Sequence, residues 1–283
     1  MVVDKPAGWT SHQVVGKLRR VLDTRKVGHA GTLDPMATGV LLVGVNKATR
    51  LLGHLMLTHK TYLGTVRLGE STVTDDAEGE LVTSTDAAGL HDDQIRAAAG
   101  EFRGVIAQIP TAFSAIKVNG VRSYARARAG EEVELAARQV TISRYELTAV
   151  RRSQVDGRTV VDLDIEVDCS SGTYIRALAR DLGTVLGVGG HLTRLRRTRV
   201  GPFGLDRAEP VDPDTDQVTM IDISAVARAT FRCVDLDPAA AADVRFGRRI
   251  SLPATNAAVT AVFDGELFLA LYRPDGRPEA VFV

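Results

Sequence analysis

Apolar side chains at Val14, Val15, Leu18, Val21 and Leu22 recur at helical spacing. With Thr10 or Ser11 as N-cap they predict a helix over residues 11–22 whose stripe is core. Residues 40–45 form an unbroken apolar run and predict a buried strand. Between the two, the glycines and proline of residues 28–39 fit neither period and predict a loop. A helix is expected over 48–57, a strand over 60–68, and an acidic loop over 70–80 with a turn at Glu78-Gly79. Helical patterns return at 92–99 and 122–129, the second closed by Gly130. Strands over 139–151 and 159–168 flank the turn Asp156-Gly157. A helix over 172–186, capped by Ser170 or Ser171, and a basic strand over 192–200 follow.

The pattern then changes. Pro202, Pro210, Pro213 and four aspartates fall between 202 and 216 and mark a boundary near 205–230. After a short helix the chain reads as strands, 259–263 and 267–272 around the hairpin signal Asp264-Gly265, with a last one ending at Phe282. Residues 1–208 are thus read as one domain, and 209–283 as a linker and a small β domain.

Composition narrows the classes. With 45% hydrophobic and 25% charged residues, 283 residues bury a core without staples, which excludes disorder, collagen-like repeats and a disulfide scaffold. Cys169 and Cys233 stand far apart without a C-x-x-C, so neither a thiolate metal site nor a redox pair is expected, and a reducing cytoplasm is. The chain starts without an apolar secretory core, and charges interrupt every apolar run before 18 residues, so neither export nor membrane spanning is expected.

The net charge of zero hides an alternation: +6 over residues 1–60, −6 over 61–114, +4 over 115–152, −3 over 153–190, +4 over 191–208 and −5 over 209–283. Three basic stretches suit a face turned to a polyanion. Of the 35 cations 29 are arginine, a skew that genome composition explains as well as phosphate recognition does.

The loop Gly28-His29-Ala30-Gly31-Thr32-Leu33-Asp34-Pro35-Met36-Ala37-Thr38-Gly39 concentrates chemistry. Its glycines admit close backbone approach, and Pro35 fixes the chain directly after Asp34. A carboxylate there is rigid and a candidate for catalysis, although Asp-Pro equally opens ordinary turns. No phosphate-cradling glycine motif is present.

Five segments, Asp4-Lys5-Pro6, Gly28 to Gly39, Lys60-Thr61-Tyr62, Ser171-Gly172-Thr173-Tyr174-Ile175-Arg176 and Leu195-Arg196-Arg197, together resemble in order and spacing the bacterial tRNA pseudouridine-55 synthases of the TruB family. The resemblance covers residues 2–205. It implies an α+β fold, a mixed, largely antiparallel sheet with flanking helices, plus a small C-terminal β-rich PUA-like domain. It implies isomerisation of the T-loop uridine of tRNA without cofactor, metal or second substrate. Asp34 matches the family's essential carboxylate, which acts on the base or sugar by attack at C1′, addition at C6 or removal of the C2′ proton; the sequence leaves these routes open. Arg176 matches the arginine paired with it, expected to be bidentate and to lower its pKa. Tyr62 matches the active-site tyrosine, with a ring for stacking and a hydroxyl for the C5 proton, and Tyr174 a pocket wall. His29 matches the histidine that fills the space of the flipped nucleotide. Lys5, Arg196 and Arg197, with Arg19, Arg20, Arg25, Lys26, Arg194 and Arg199, are then phosphate contacts, although Arg194, Arg196 and Arg199 also fit a solvated strand edge.

The chain departs from the family in three places. The apolar stretch before Asp4 is short, Phe113 stands where tyrosine is common, and the C-terminal segment is acidic, which weakens the case that it binds RNA. The partners expected are the T-arm and loop of tRNA, with no membrane and no obligatory protein partner, for a cytoplasmic monomer. The alternative is a tRNA-binding folding chaperone in which isomerisation is secondary; a purely structural protein on the same fold is disfavoured by the clustered cations. A chaperone needs none of Asp34, Tyr62 and Arg176.

Overall fold

A computed structural model describes residues 1–113, 117–118, 121–122 and 135–283. Its centre is a ten-stranded mixed sheet in the order Glu209–Pro210, Val2–Lys5, Thr38–Val45, Gly190–Val200, Lys60–Leu68, Arg158–Cys169, Arg138–Val155, Gly104–Gln108. Val27–Ala30 adds to Thr38–Val45, and Phe203–Gly204 to Gly190–Val200. Two junctions in the sheet are parallel, Val2–Lys5 with Glu209–Pro210 and Thr38–Val45 with Gly190–Val200; the others are antiparallel.

Local chemistry explains most of these elements. Thr10 caps the helix Ser11–Val21 through a reciprocal pair of bonds with Gln13, and Val14, Val15 and Leu18 are buried on its inner face. Asp156 and Gly157 both take positive φ and turn the chain between the two longest strands. Four of the expected elements take another form. The loop read over 28–39 begins as the strand Val27–Ala30, because Val27 and Ala30 are buried while the segment pairs with Thr38–Val45. The helix expected over 48–57 is a 3-10 turn, Asn46–Leu51, followed by the short helix Leu52–Met56. The acidic loop over 70–80 starts with Glu70–Thr72, paired to Leu81–Ser84. The helix expected from residue 172 starts at Ile175, since Gly172 takes φ +83°. The helix expected over 122–129 with Gly130 lies outside the described residues, apart from Arg122 in the strand Val121–Arg122, paired to Lys117–Val118.

The C-terminal segment forms a four-stranded sheet, Arg232–Asp235, Thr260–Asp264, Leu267–Tyr272 and Pro278–Val281, with helices Ile223–Thr230 and Pro238–Arg245. It shares an apolar cluster with the large sheet: Val2, Leu42, Leu55 and Phe203 pack with Ala227, Phe263, Phe268, Leu271 and Phe282. Lys47 Nζ donates to the Phe282 carbonyl at 2.9 Å, and the Arg50 guanidinium lies 4.6 Å over its ring. A chain ended after Pro210 exposes the near half of this cluster. At about 1.5–3 kcal/mol per large apolar side chain, the loss is about 5 kcal/mol or more, a fall of roughly 10–20 °C in unfolding midpoint by calorimetry. Among the described residues no helix is long and apolar enough to cross a membrane.

Candidate active site

The Asp34 loop is pinned from several sides. Ser11 Oγ donates to the Leu33 carbonyl at 3.1 Å and accepts from the Leu33 amide at 2.9 Å. The Ala37 amide donates to the Asp34 carbonyl at 3.1 Å, and the Gly8 amide to the Pro35 carbonyl at 2.9 Å. Gly39 takes φ +103°, and a Cβ there would stand 2.2 Å from the Arg197 carbonyl, so only glycine lets the loop leave alongside that strand. A carboxylate held this way is aimed before any ligand arrives.

Asp34 opens on a cleft of about 440 Å3 lined by Gly31, Lys60, Tyr62, Tyr174, Arg176 and Arg197 among others. Arg176, at the second position of the helix Ile175–Val185, has a side chain only 6% exposed, and its Nε lies 3.0 Å from Asp34 Oδ2. The contact is not the bidentate one expected. The guanidinium is shared: Nη1 donates to the Thr74 carbonyl at 2.8 Å and stands 3.3 Å from Asp76 Oδ2, while Nη2 donates to the Phe113 carbonyl at 2.9 Å. Nor is the Asp34 carboxyl drawn down. Burial pushes it above its ordinary value; Arg176 and Lys5 pull the other way, and Asp76 adds to the rise.

Asp76 is the functional candidate that the sequence did not disclose. It is 2% exposed, and its Oδ1 accepts from Thr74 Oγ1 at 2.6 Å and from the Glu78 amide at 3.0 Å. The Ala77 amide bonds to the Leu192 carbonyl at 3.0 Å, which ties the acidic loop to the strand Gly190–Val200. Nothing in an acidic loop distinguishes a carboxylate that turns inward from its solvated neighbours.

Tyr62 is 7% exposed and lies beside Arg197 in the strand register. Burial raises its hydroxyl pKa, with charge and hydrogen bonding from Arg197 opposing, so the group stays a neutral phenol. Tyr174 caps the Arg176 helix; its amide donates to Gln108 Oε1 at 2.8 Å, and its carbonyl accepts from Gln108 Nε2 at 3.0 Å. Gln108, at the sheet's edge strand, thereby fixes the cleft wall.

The cations divide differently from the sequence reading. Lys5 has no exposed surface, and its Nζ donates to the carbonyls of Pro6 (2.8 Å), Trp9 (2.5 Å) and Pro35 (3.2 Å), so it staples the Asp34 loop and does not face a phosphate. Burial brings its pKa down to about 8. Arg197, 1% exposed, gives Nε to the Val40 carbonyl (2.7 Å) and Nη2 to the Gly31 carbonyl (2.9 Å), again bracing the loop. Arg196 points the opposite way and forks onto Asp4, with bonds of 3.0 and 2.6 Å, so its charge is already paired. Arg194 and Arg199 are exposed. His29 stands outside the residues that line the Asp34 cleft, in an edge contact with the His12 ring, centroids 5.4 Å apart.

Residues 19–175 match a family model described as TruB family pseudouridylate synthase (N terminal domain), and residues 176–235 one described as tRNA pseudouridylate synthase B C-terminal domain. The chain is 57% identical over 283 residues to tRNA pseudouridine synthase B of Cutibacterium acnes, covering 99% of this chain and 94% of that protein. It is 54% identical over 276 residues to the protein of that name from Arthrobacter sp. (strain FB24), covering 98% and 89%. Among solved structures, a chain of "Crystal Structure of a Cbf5-Nop10-Gar1 Complex" superposes with TM-score 0.69 at 25% identity, covering 100% of this chain and 83% of that one. A chain of "Structure of H/ACA RNP bound to a substrate RNA containing 2'-deoxyuridine" reaches 0.71 at 24% identity, covering 100% and 84%, a likeness of fold.

Proposed function

The chain belongs to the TruB family and isomerises uridine in tRNA to pseudouridine; we propose that the uridine is that of the T loop and that Asp34 is the residue that reacts. One observation carries the reading: a rigid carboxylate, 37% exposed, faces a cleft in whose wall its arginine partner is buried to 6% exposure. Isomerisation breaks the N1 to C1′ bond, turns the uracil and joins C5 to the same sugar carbon. The C5 proton is lost and N1 gains one, so atoms and electrons balance without oxidant or leaving group. One carboxylate suffices for this. A uridine stacked in a loop presents neither C6 nor C1′ to it, so the nucleotide is flipped into the cleft.

Tyr62 packs on the uracil there, and as a neutral phenol it is a poor acceptor for the C5 proton. Tyr174 bounds the cleft, and Arg176 keeps the ionised form of Asp34 aimed. His29 occupies the place the nucleotide leaves. Lys5 and Arg197 act by bracing the loop, and Arg196 meets phosphate by exchanging Asp4 for it. Residues 1–208 carry the chemistry and 209–283 form the PUA-like unit. The enzyme works as a cytoplasmic monomer that requires no protein partner.

The test is incubation with an unmodified tRNA transcript and mapping of pseudouridine at nucleotide resolution. A single product in the T loop is expected. Product at another position would overturn the assigned site, and tight tRNA binding with no product at all would favour a folding chaperone.

A further inference from the structure

Of the large apolar side chains exposed among the described residues, Met56 (44%) and Leu57 (69%) are the two that line the Asp34 cleft. They end the short helix Leu52–Met56, whose Leu55 enters the core together with Leu51 just before it, while these two join none of the apolar clusters. Their backbone is nevertheless rigidly held. Lys60 Nζ donates to the carbonyls of Met56 and Thr58, both at 2.8 Å, and Thr58 Oγ1 donates to the Leu55 carbonyl at 2.8 Å. The Gly201 amide closes the turn on the His59 carbonyl at 2.9 Å. A fixed turn thus presents two adjacent apolar side chains to solvent on the rim of a cleft whose other walls include Asp34, Lys60, Arg176 and Arg197.

The fold has no use for this exposure, and a substrate does. A uridine drawn out of a loop leaves the nucleotides beside it unstacked, with apolar base faces open to water. Phosphates find cations, whereas a base face needs an apolar cover. We propose that Met56 and Leu57 form a stacking platform for the base of a nucleotide adjacent to the isomerised uridine, so that they hold the RNA at the cleft. The inference rests on the reading of this cleft as the uridine site and extends it to the neighbouring nucleotide. Because the contact is apolar, it contributes affinity without releasing counterions.

The test uses the full chain and a T-arm stem–loop. Leu57→Ser and Met56→Ser/Leu57→Ser are expected to raise Kd about tenfold or more, with the single-turnover rate at saturating RNA within about twofold of the unsubstituted enzyme. The slope of log Kd against log salt should not change, and Leu57→Met should restore binding. Stem–loops with one abasic nucleotide at each position beside the target complete a cycle: at one position the abasic change and Leu57→Ser should cost no more together than either does alone. Unchanged Kd in the double variant, a shallower salt slope, additive losses at every position, or a fall in unfolding midpoint large enough to explain the loss would each overturn the platform. A wild-type enzyme that makes no pseudouridine would instead refute the function proposed for the cleft, since the binding measurements do not depend on turnover.

Discussion

Asp34→Asn is expected to abolish isomerisation while leaving tRNA affinity within a few fold. Asparagine keeps the shape of the side chain but neither attacks carbon nor accepts a proton. The wild-type pH profile should carry the signature of the same group. Burial raises the Asp34 pKa against the pull of Arg176, and the reaction needs the ionised form, so the single-turnover rate should climb with pH through an apparent pKa above the usual carboxylate range and then level off. Linkage gives the matching stability statement. Between the ordinary and the raised pKa the folded protein holds more protons at this site than the unfolded chain, so stability falls as pH rises through that window and ionised Asp34 is a cost at neutral pH. The Asn variant therefore should unfold at a temperature no lower than wild type at pH 7, Arg176 retaining Asp76 as its partner. Measurable turnover by Asp34→Asn in a contamination-free preparation would remove Asp34 from the chemistry, and a flat wild-type profile down to pH 4 would show that its pKa is not raised.

Periodicity located the framework better than it located side-chain direction. The strand Lys60–Leu68 and the helix Ser11–Val21 follow from local pattern and capping, because each buries one regular face. The helix Pro238–Arg245 interrupts a stretch whose overall pattern is β, although its signals are local: Asp237 accepts from the Ala240 amide as N-cap, Pro238 occupies the first turn, and alanines follow. Counting cations was the weaker guide. Arg196 and Arg197 are neighbours on a strand and so face opposite sides of the sheet, one forked onto Asp4 and one buried against Gly31 and Val40. A sum of charges cannot register that alternation. Nor does a charge count distinguish Lys5, which three carbonyls enclose, from a cation free to meet a phosphate. The neighbourhood of Asp34 and Arg176 was beyond any local pattern, since it depends on how the strands order themselves in the sheet; family resemblance brought the two together. Asp76 had no such help, and only the packing of its loop against Leu192 discloses it.

That shared arginine sets the second large effect. Arg176→Lys should lower the single-turnover rate by about a thousandfold or more, and the reason is geometric. The guanidinium serves Asp34, Thr74, Phe113 and Asp76 from three nitrogens fixed in one plane. An ammonium on a flexible stem is a single point that reaches one or two of them and leaves the others buried without a donor. Arg176→Met goes further. Asp34 and Asp76 then face a common space with no cation between them, and their mutual repulsion adds to burial, so the pKa of Asp34 moves higher still. The residual rate of the Met variant should therefore rise with pH at a higher midpoint than wild type, a shift that a loss of packing alone does not produce. Stability should fall in the same variant by about 3–5 kcal/mol, as it does when one partner is removed from a buried ion pair. Adding Asp76→Asn to Arg176→Met should recover part of that stability and bring the pH midpoint back down, because the remaining carboxylate no longer faces a like charge. If the lysine variant turns over within tenfold of wild type, or if the Met variant keeps the wild-type pH midpoint, the arginine is a surface for packing and Asp34 owes its ionisation to something else.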